Sequence, residues 1–569
     1  MSGNINILNI TNYNEVLMAE EPFWSDEIAK LILNRKRYNY IDKEVKLPEV
    51  LVIKSSTSIS GVPHIGNACD VIRHDAVVRS LKERGAKVKL VWTAEDMDAL
   101  RKVPAGIPKS YEEYLGMPVV DIPCPEGCCK SYAKHFSEKF VKSLRENFGT
   151  NPEYLSTSEE YRKGTFSKWI KIVFENIEKI KDILNKSRKT PLPKDWSPWK
   201  PVCENCGKLM TTKVTSIGDN IVRYSCEDYQ FKPFEKEAYT KLKGCGHKGE
   251  SDLKNGKLLW RIEWGMLWAN WKIVFEGSGK EHFMPSGSFW SAGEVCEKIF
   301  DWPEPYPGKN MIQPYEYLTV SGEKMSASKG NVIATWEWPE FAPPQILRLI
   351  FLKRPNRVRD FSYEDIPKYI DEFYSLQRIY FGEEFYDKKE APRLKRLYQM
   401  SEIEVPEKIP IQIPFDYAAM VSNMFPEEEL LEKSIQLFKS TGHLKEEISE
   451  GEKNKIKEIL YMTKNWLIKF GGDKYKIKLL EKPTNEILQK LNNKQKQALN
   501  ILANDLKEYE TEKNIYKRFF EIAKEAGITS REFFRAVYLV LLGKPWGPRL
   551  APFILIVGKE EVIKRLEEI

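Results

Sequence analysis

Glu49-Val-Leu-Val-Ile-Lys54, Ser55-Ser-Thr-Ser-Ile-Ser-Gly61 and Pro63-His64-Ile65-Gly66-Asn67 follow one another, and their order decides the fold. A short apolar, β-branched run that ends in small residues reads as a buried strand. Pro63 and His64 then open a helix predicted to run to about Arg84. Val71, Val78 and Leu81 recur on it at helical spacing, and Gly85 is a good C-terminal stop. Lys87–Trp92 reads as the next strand. Strand, small-residue loop, helix and strand make one βαβ unit, so the expected sheet is parallel. In such sheets ligands sit at the carboxyl ends of the strands. That directs attention to residues 55–67 and to Thr93-Ala-Glu-Asp-Met-Asp98.

Upstream, residues 1–45 read as a lead-in segment, helical from Trp24 to about Arg37. The sheet domain is expected over 46–104 and 259–345, split by an insertion over 105–258 that carries two cysteine groups and a helical stretch near 130–187. A connecting segment follows over 346–370, and 371–569 is helical in pattern. Thr529-Ser-Arg-Glu532 is a capping box there, opening a helix with Phe533, Ala536, Val537, Val540 and Leu541 on one face.

The chain has 569 residues, 42% hydrophobic and 30% charged, which excludes wholesale disorder and predicts several domains. Its net charge of +7 permits a nucleic-acid partner without demanding one. Residues 1–20 lack the pattern of a secretory signal. The most apolar runs, Val537–Leu542 and Phe553–Val557, are too short to span a bilayer. The expectation is a cytoplasmic protein with no membrane partner.

Seven of the nine cysteines fall between residues 124 and 245, which points to metal rather than disulfides. Cys203-Glu-Asn-Cys206-Gly, Cys226 and Cys245-Gly-His247 form a zinc-ribbon pattern, with Cys245 the expected fourth ligand and His247 the alternative. Cys124, Cys128, Cys129 and His135 make a less regular group, read either as a second metal site or as buried thiols. Cys69 and Cys296 read as core residues.

Two stretches carry the chemistry. Pro63-His64-Ile65-Gly66-Asn67 stands at a helix start, where free amides and the helix dipole favour phosphate. Lys324-Met325-Ser326-Ala327-Ser328-Lys329-Gly330-Asn331 is a small-residue loop able to fold over a polyphosphate and neutralise it. Together they resemble the two signatures of class I aminoacyl-tRNA synthetases. With Cys124–Phe136, Trp260-Arg-Ile-Glu-Trp264 and Gly279-Lys-Glu-His282 in the same order, the chain from about residue 25 to its end is similar to class I lysyl-tRNA synthetases.

The resemblance implies an α/β fold: a class I Rossmann-type parallel sheet with a zinc-bearing insertion and an all-α C-terminal anticodon-binding domain. It implies activation of L-lysine by ATP with Mg2+, transfer to tRNA(Lys), a monomer, and one or two structural Zn2+ ions. His64, Asn67, Lys324 and Lys329 would be catalytic. Pro63, His64, Gly66, Asn67, Lys324, Met325, Ser326 and Ser328 would hold ATP. Ser56, Ser58, Trp260, Trp264, His282 and Tyr315 would line the lysine pocket. The metal ligands would be Cys124, Cys128, Cys129 and His135, then Cys203, Cys206, Cys226 and Cys245. Asn67 and Ala327 depart from the commonest forms of the two signatures. Trp546 and Arg549 are candidates for stacking on anticodon bases.

Three other functions share parts of this pattern. A glutamate or glutamine synthetase would want arginines in its pocket, whereas loop 93–98 is acidic. A non-catalytic tRNA-binding paralogue would be expected to lose His64 or the loop lysines. A nucleotidyltransferase would be much shorter. Glu95, Asp96 and Asp98 could supply negative charge for a lysine ammonium, or could equally cap the segment that follows.

Overall fold

A computed structural model describes residues 23–230, 241–305, 315–316, 318–324, 333–422, 425–471, 479–509, 511–547 and 549–569. Contacts divide the chain into two units. One comprises Met1–Trp338, Leu347–Phe361 and Tyr386–Val405, and the other Pro339–Ile346, Ser362–Phe385 and Pro406–Ile569.

The first unit is organised by a four-stranded parallel sheet, in the order Ile273–Phe275, Val50–Thr57, Lys87–Ala94, Glu153–Ser156. The two central strands pair from Val50 opposite Lys87 to Thr57 opposite Ala94. Leu51, Ile53, Val91 and Trp92 are buried on them, as a sheet covered on both faces requires. The helix between them, Ile65–Glu83, buries Val71, Val78 and Leu81 as expected. Gly85 follows it with φ of 80°, a left-handed conformation that glycine adopts without strain.

The helix Trp24–Asn34 packs on Ile65–Glu83. Ser25 Oγ lies 2.9 Å from Ser80 Oγ, and Arg84 reaches Asp26 at 3.1 Å. From Phe23 on, the lead-in segment is thus built into the sheet-bearing unit. So is helix Ala391–Ser401, whose Arg396 meets Asp26 at 2.8 Å, although its pattern places it in the helical domain.

The span 105–258 is not wholly an insertion, because it supplies the edge strand Glu153–Ser156. Four residues give too little periodicity to be read as a strand. Asp96 fixes the strand's end, accepting hydrogen bonds from Ser156 Oγ at 2.6 Å, Thr157 Oγ1 at 3.0 Å and the Ser158 amide at 2.7 Å. A separate antiparallel ribbon of Thr212–Ile217, Ile221–Cys226 and Lys248–Asp252 follows. Trp199–Pro201 pairs with Gly256–Leu258 at its base. The chain then runs into helix Trp260–Trp271 and the sheet strand Ile273–Phe275.

In the second unit every regular element among the described residues is helical. Helices Phe415–Ser422, Glu450–Lys469, Asn493–Asp505, Glu512–Glu525 and Ser530–Leu542 share one apolar core with Ile459, Leu499, Phe519, Phe533 and Val537 in it. The box at Thr529 closes in both directions, since Glu532 N donates to Thr529 Oγ1 at 3.2 Å and Thr529 N to Glu532 at 2.8 Å.

Candidate active site

His64 is the N-cap of helix Ile65–Glu83. Its Nδ1 accepts from the Gly66 amide at 3.0 Å, and its own amide donates to Asn67 Oδ1 at 2.9 Å. Burial holds the imidazole down to about 4, so the ring is neutral at pH 7. An accepting Nδ1 in a neutral ring places the proton on Nε2. His64 is therefore a neutral donor beside the free amides of a helix start, which suits a phosphoryl oxygen. Asn67 spends its carbonyl oxygen on the cap and keeps its amide hydrogens.

Two residues that follow the second signature, Ile333 and Ala334, meet this helix start. The Ile65 amide donates to Ile333 O at 3.1 Å, and residues 64 and 334 form a β-bridge. Before the signature, Glu323–Lys324 pairs with Leu318–Val320, which runs parallel to Arg359–Phe361. Met325, Ser326, Ser328 and Lys329 lie outside the described residues, as does the side chain of Lys324.

The expected pocket residues gather round a carboxylate that the sequence reading overlooked. Glu276 directly follows strand Ile273–Phe275, at a carboxyl end of the sheet, and is 3% exposed. It accepts from Lys54 Nζ at 2.7 Å, Trp264 Nε1 at 3.0 Å, Trp268 Nε1 at 2.5 Å and Ser56 Oγ at 3.3 Å. The two tryptophans reach it together because positions four apart share one helix face. Trp260 continues the stack, 4.7 Å from Trp264 between ring centres, and His282 meets Trp264 edge-on at 5.2 Å. Burial lowers the His282 pKa, and its Nδ1 lies 2.6 Å from Ser288 Oγ.

Tyr315 is brought to the same wall by pairing with Gly279. Its ring takes the Arg73 guanidinium on its face at 4.4 Å and the His74 ring edge-on at 6.1 Å. A Cβ on Gly277 would stand 2.4 Å from the Tyr315 hydroxyl, so glycine is required there. His74, also missed from sequence, is fully buried and accepts the Gly277 amide on Nε2 at 2.8 Å. A lone histidine inside a helix gave no sign of this.

The three acidic residues after strand Lys87–Ala94 part company. Asp96 is structural, as above. Asp98 pairs with Lys257, which also meets Glu263 at 2.8 Å. Burial opposes ionisation of Asp98, but Lys257 and Ser58 pull its pKa below the usual value. Glu95 is 7% exposed, and its Oε1 has no hydrogen-bond partner among the described residues. Burial and the nearby Asp98 push its carboxyl up to about 8, against Lys54, Lys257 and a hydrogen bond from Ser56. Ser56 thus faces both Glu276 and Glu95, and Ser58 faces Asp98.

Both cysteine groups close into compact clusters, with ligand atoms within 4.8 Å of one another in each. In the ribbon, Cys203 and Cys245 sulfurs are 3.6 Å apart and Cys206 and Cys226 sulfurs 3.7 Å. Tetrahedral zinc with bonds of about 2.3 Å sets sulfurs about 3.8 Å apart, so this donor set fits the ion. His247, the alternative ligand, instead pairs with Glu204 at 2.6 Å. In the other group, Cys124 and Cys128 sulfurs lie 3.7 Å apart, and His135 Nδ1 is 3.1 Å from Cys128. Glu126 stands 3.2 Å from His135 Nε2, the carboxylate–histidine pairing common behind a metal ligand. Cys69 and Cys296 are buried apart from both clusters.

A parallel sheet, a helix start with free amides and a buried group of carboxylates and aromatic rings at the carboxyl ends of the strands thus stand in one unit. A family described as tRNA synthetases class I (K) matches residues 22–404, and one described as anticodon binding domain matches 422–569. The lysine–tRNA ligase of Methanocaldococcus jannaschii is 34% identical over 556 residues, covering 95% of this chain and 99% of that protein. Those of Methanosphaera stadtmanae, at 33%, and Thermococcus kodakarensis, at 34%, cover 96% and 95% of this chain and 99% of their own length. The chain belongs to the class I tRNA synthetases (K).

Proposed function

We propose that the protein is a lysine–tRNA ligase: it activates L-lysine with ATP and passes the lysyl group to the 3′ end of tRNA(Lys). The observation that carries this reading is its likeness, over nearly the whole length, to relatives named lysine–tRNA ligase. In the first step a lysine carboxylate oxygen bonds to the α-phosphorus of ATP, and pyrophosphate leaves with the electrons of the broken P–O bond. The terminal tRNA hydroxyl then displaces AMP. No covalent enzyme intermediate is needed. The protein positions the reactants and stabilises charge on the transferring phosphoryl group.

His64 donates from Nε2 to an ATP phosphate oxygen. Asn67 offers its amide hydrogens beside it, and Pro63 and Gly66 let the nucleotide approach the backbone. Lys324 and Lys329, with Met325, Ser326 and Ser328, close over the pyrophosphate. Trp260, Trp264, His282 and Tyr315 form the walls of the lysine pocket, with Ser56 and Ser58 at its floor. Glu276 already serves four donors and shapes that wall. Glu95 has the open oxygen and receives an ammonium of lysine. ATP arrives with Mg2+, and Zn2+ in the two cysteine clusters would cross-link the chain around them.

Pyrophosphate exchange with each of the twenty amino acids, with and without tRNA, tests this. Lysine alone should support exchange, and His64→Ala should abolish it. Exchange with glutamate or glutamine, or with no amino acid in folded protein, would sink the reading.

A further inference from the structure

The span 105–258 returns one buried cation to the sheet's carboxyl end. Lys257 stands in the short strand Gly256–Leu258, which pairs with Trp199–Pro201 at the base of the ribbon. The pairing is close. A Cβ on Gly256 would stand 2.5 Å from Lys200 O and 2.6 Å from the Trp199 ring, so glycine is required beside Lys257. Lys257 is 7% exposed. A lysine is almost never buried unless it is paired, and this one is paired twice. Its ammonium meets Asp98, in the loop after strand Lys87–Ala94, and Glu263 at 2.8 Å, on helix Trp260–Trp271.

Those two carboxylates belong to different walls. Asp98 is three residues from Glu95 and faces Ser58. Glu263 falls between Trp260 and Trp264 in the chain, is 1% exposed and accepts the Tyr161 hydroxyl at 2.6 Å. Tyr161 in turn accepts the Leu258 amide at 3.0 Å and meets the Trp199 ring edge-on at 5.8 Å. The backbone is thus fixed on both sides of Lys257.

A lysine that only neutralised buried charge could sit beside either carboxylate. Lys257 instead spans the acidic loop and the indole helix. It also occupies Asp98 and Glu263, as Lys54 occupies Glu276. Glu95 Oε1 is left with no hydrogen-bond partner among the described residues. We propose that Lys257 is a positioning residue for the amino-acid substrate: it clamps loop 95–98 to helix Trp260–Trp271 and occupies the carboxylates that would otherwise compete with Glu95 for the substrate ammonium. The inference rests on the reading of the chain as a lysine–tRNA ligase. Lys257 acts through Asp98 and Glu263 and takes no part in the transfer itself.

Lys257→Gln alone leaves two buried carboxylates uncompensated, which is costly. The main variant is therefore Lys257→Gln/Glu263→Gln in the full chain. It removes one charge of each sign, so the net charge of the trio is kept, and its denaturant midpoint should lie above that of Lys257→Gln. In tRNA charging its KM for lysine should rise about tenfold, the size of one charge-assisted hydrogen bond, while KM for ATP stays within about twofold. Hydrogen exchange should quicken over 95–100 and 260–271 together, with 212–226 and 248–252 unchanged. Tyr161→Phe, which removes only the hydroxyl between Leu258 and Glu263, should raise KM for lysine in the same direction by less.

A folded double variant with wild-type KM for lysine would overturn the proposal. So would a matching rise in both KM values, which marks a general loss of structure, or exchange that quickens on one wall only. Should the double variant fail to fold, an unchanged KM for lysine in Tyr161→Phe overturns it. Charging by the wild-type chain tests the enzyme reading separately. If wild type charges another amino acid or none, that reading falls, and the exchange pattern still decides whether Lys257 joins the two walls.

Discussion

The wall around Glu276 and the cysteine-bearing ribbon lie in the same unit and are built differently. Around Glu276 the protein closes its own polar network: a lysine, two indole N–H groups and a serine converge on one carboxylate. In the ribbon, one buried cluster among the described residues is Cys203, Tyr224 and Cys226 with Cys206 against it, and Val222, Leu209 and Leu253 are buried as well. Three of that cluster's four residues are candidate metal ligands. The wall can be preorganised by folding alone, whereas the ribbon's cysteine cluster is suited to being held by an ion.

Metal removal should separate the two most sharply. Structural zinc sites contribute on the order of 10 kcal/mol to folding. Chelation, or Cys226→Ser, should unfold the ribbon while the parallel sheet persists. Hydrogen exchange would report fast amides over residues 212–252 and protection retained over 50–57 and 87–94. A ribbon still protected in metal-free protein would break the contrast.

The converse change strikes the wall. Glu276→Gln leaves Lys54 buried without its counter-charge, and breaking a buried pair costs about 3–5 kcal/mol. Denaturant unfolding should show that loss over the whole first unit, and metal content should not change. An effect below about 1 kcal/mol would mean that the wall is not held by this carboxylate.

A third test uses pH. His64 stays neutral in the folded protein down to about 4, below the ordinary histidine value of 6.5. As pH falls from 6.5 toward 4 the unfolded ring takes up a proton that the folded ring does not. Stability from this group is therefore present above 6.5 and lost on acidification across that window. Denaturant midpoints of His64→Gln should fall less than those of the wild type over the same range. The smallest effect is expected in the helical unit: Thr529→Ala removes a helix cap and should cost about 1 kcal/mol there.

The two regions are legible in the sequence to different degrees, and the reason is physical. Cysteine spacing is a local pattern, so Cys203, Cys206, Cys226 and Cys245 can be read as a set from the chain itself. The central strands and helix 65–83 are equally local. Glu276 and His74 act through Lys54 and Gly277, more than two hundred residues away in the chain, and no periodicity marks them. Glu153–Ser156 is hidden by its brevity, and Ala391–Ser401 by its helical pattern, which says nothing of the unit it packs in. The acidic trio in loop 93–98 shows its charge but not its division of labour, which depends on Ser156, Ser158 and Lys257.

The central claim is that Glu276 is already saturated and Glu95 is the carboxylate left for lysine. The most direct measurement is KM for lysine in tRNA charging by wild type and Glu95→Gln across pH. A hydrogen bond to a charged group is worth about 1.5–3 kcal/mol, so Glu95→Gln should raise KM for lysine roughly tenfold or more. Because burial holds the Glu95 carboxyl up at about 8, wild-type KM should fall as pH rises toward that value, and the variant should lose this dependence. A Glu95→Gln enzyme with wild-type KM and the same pH profile would contradict the account.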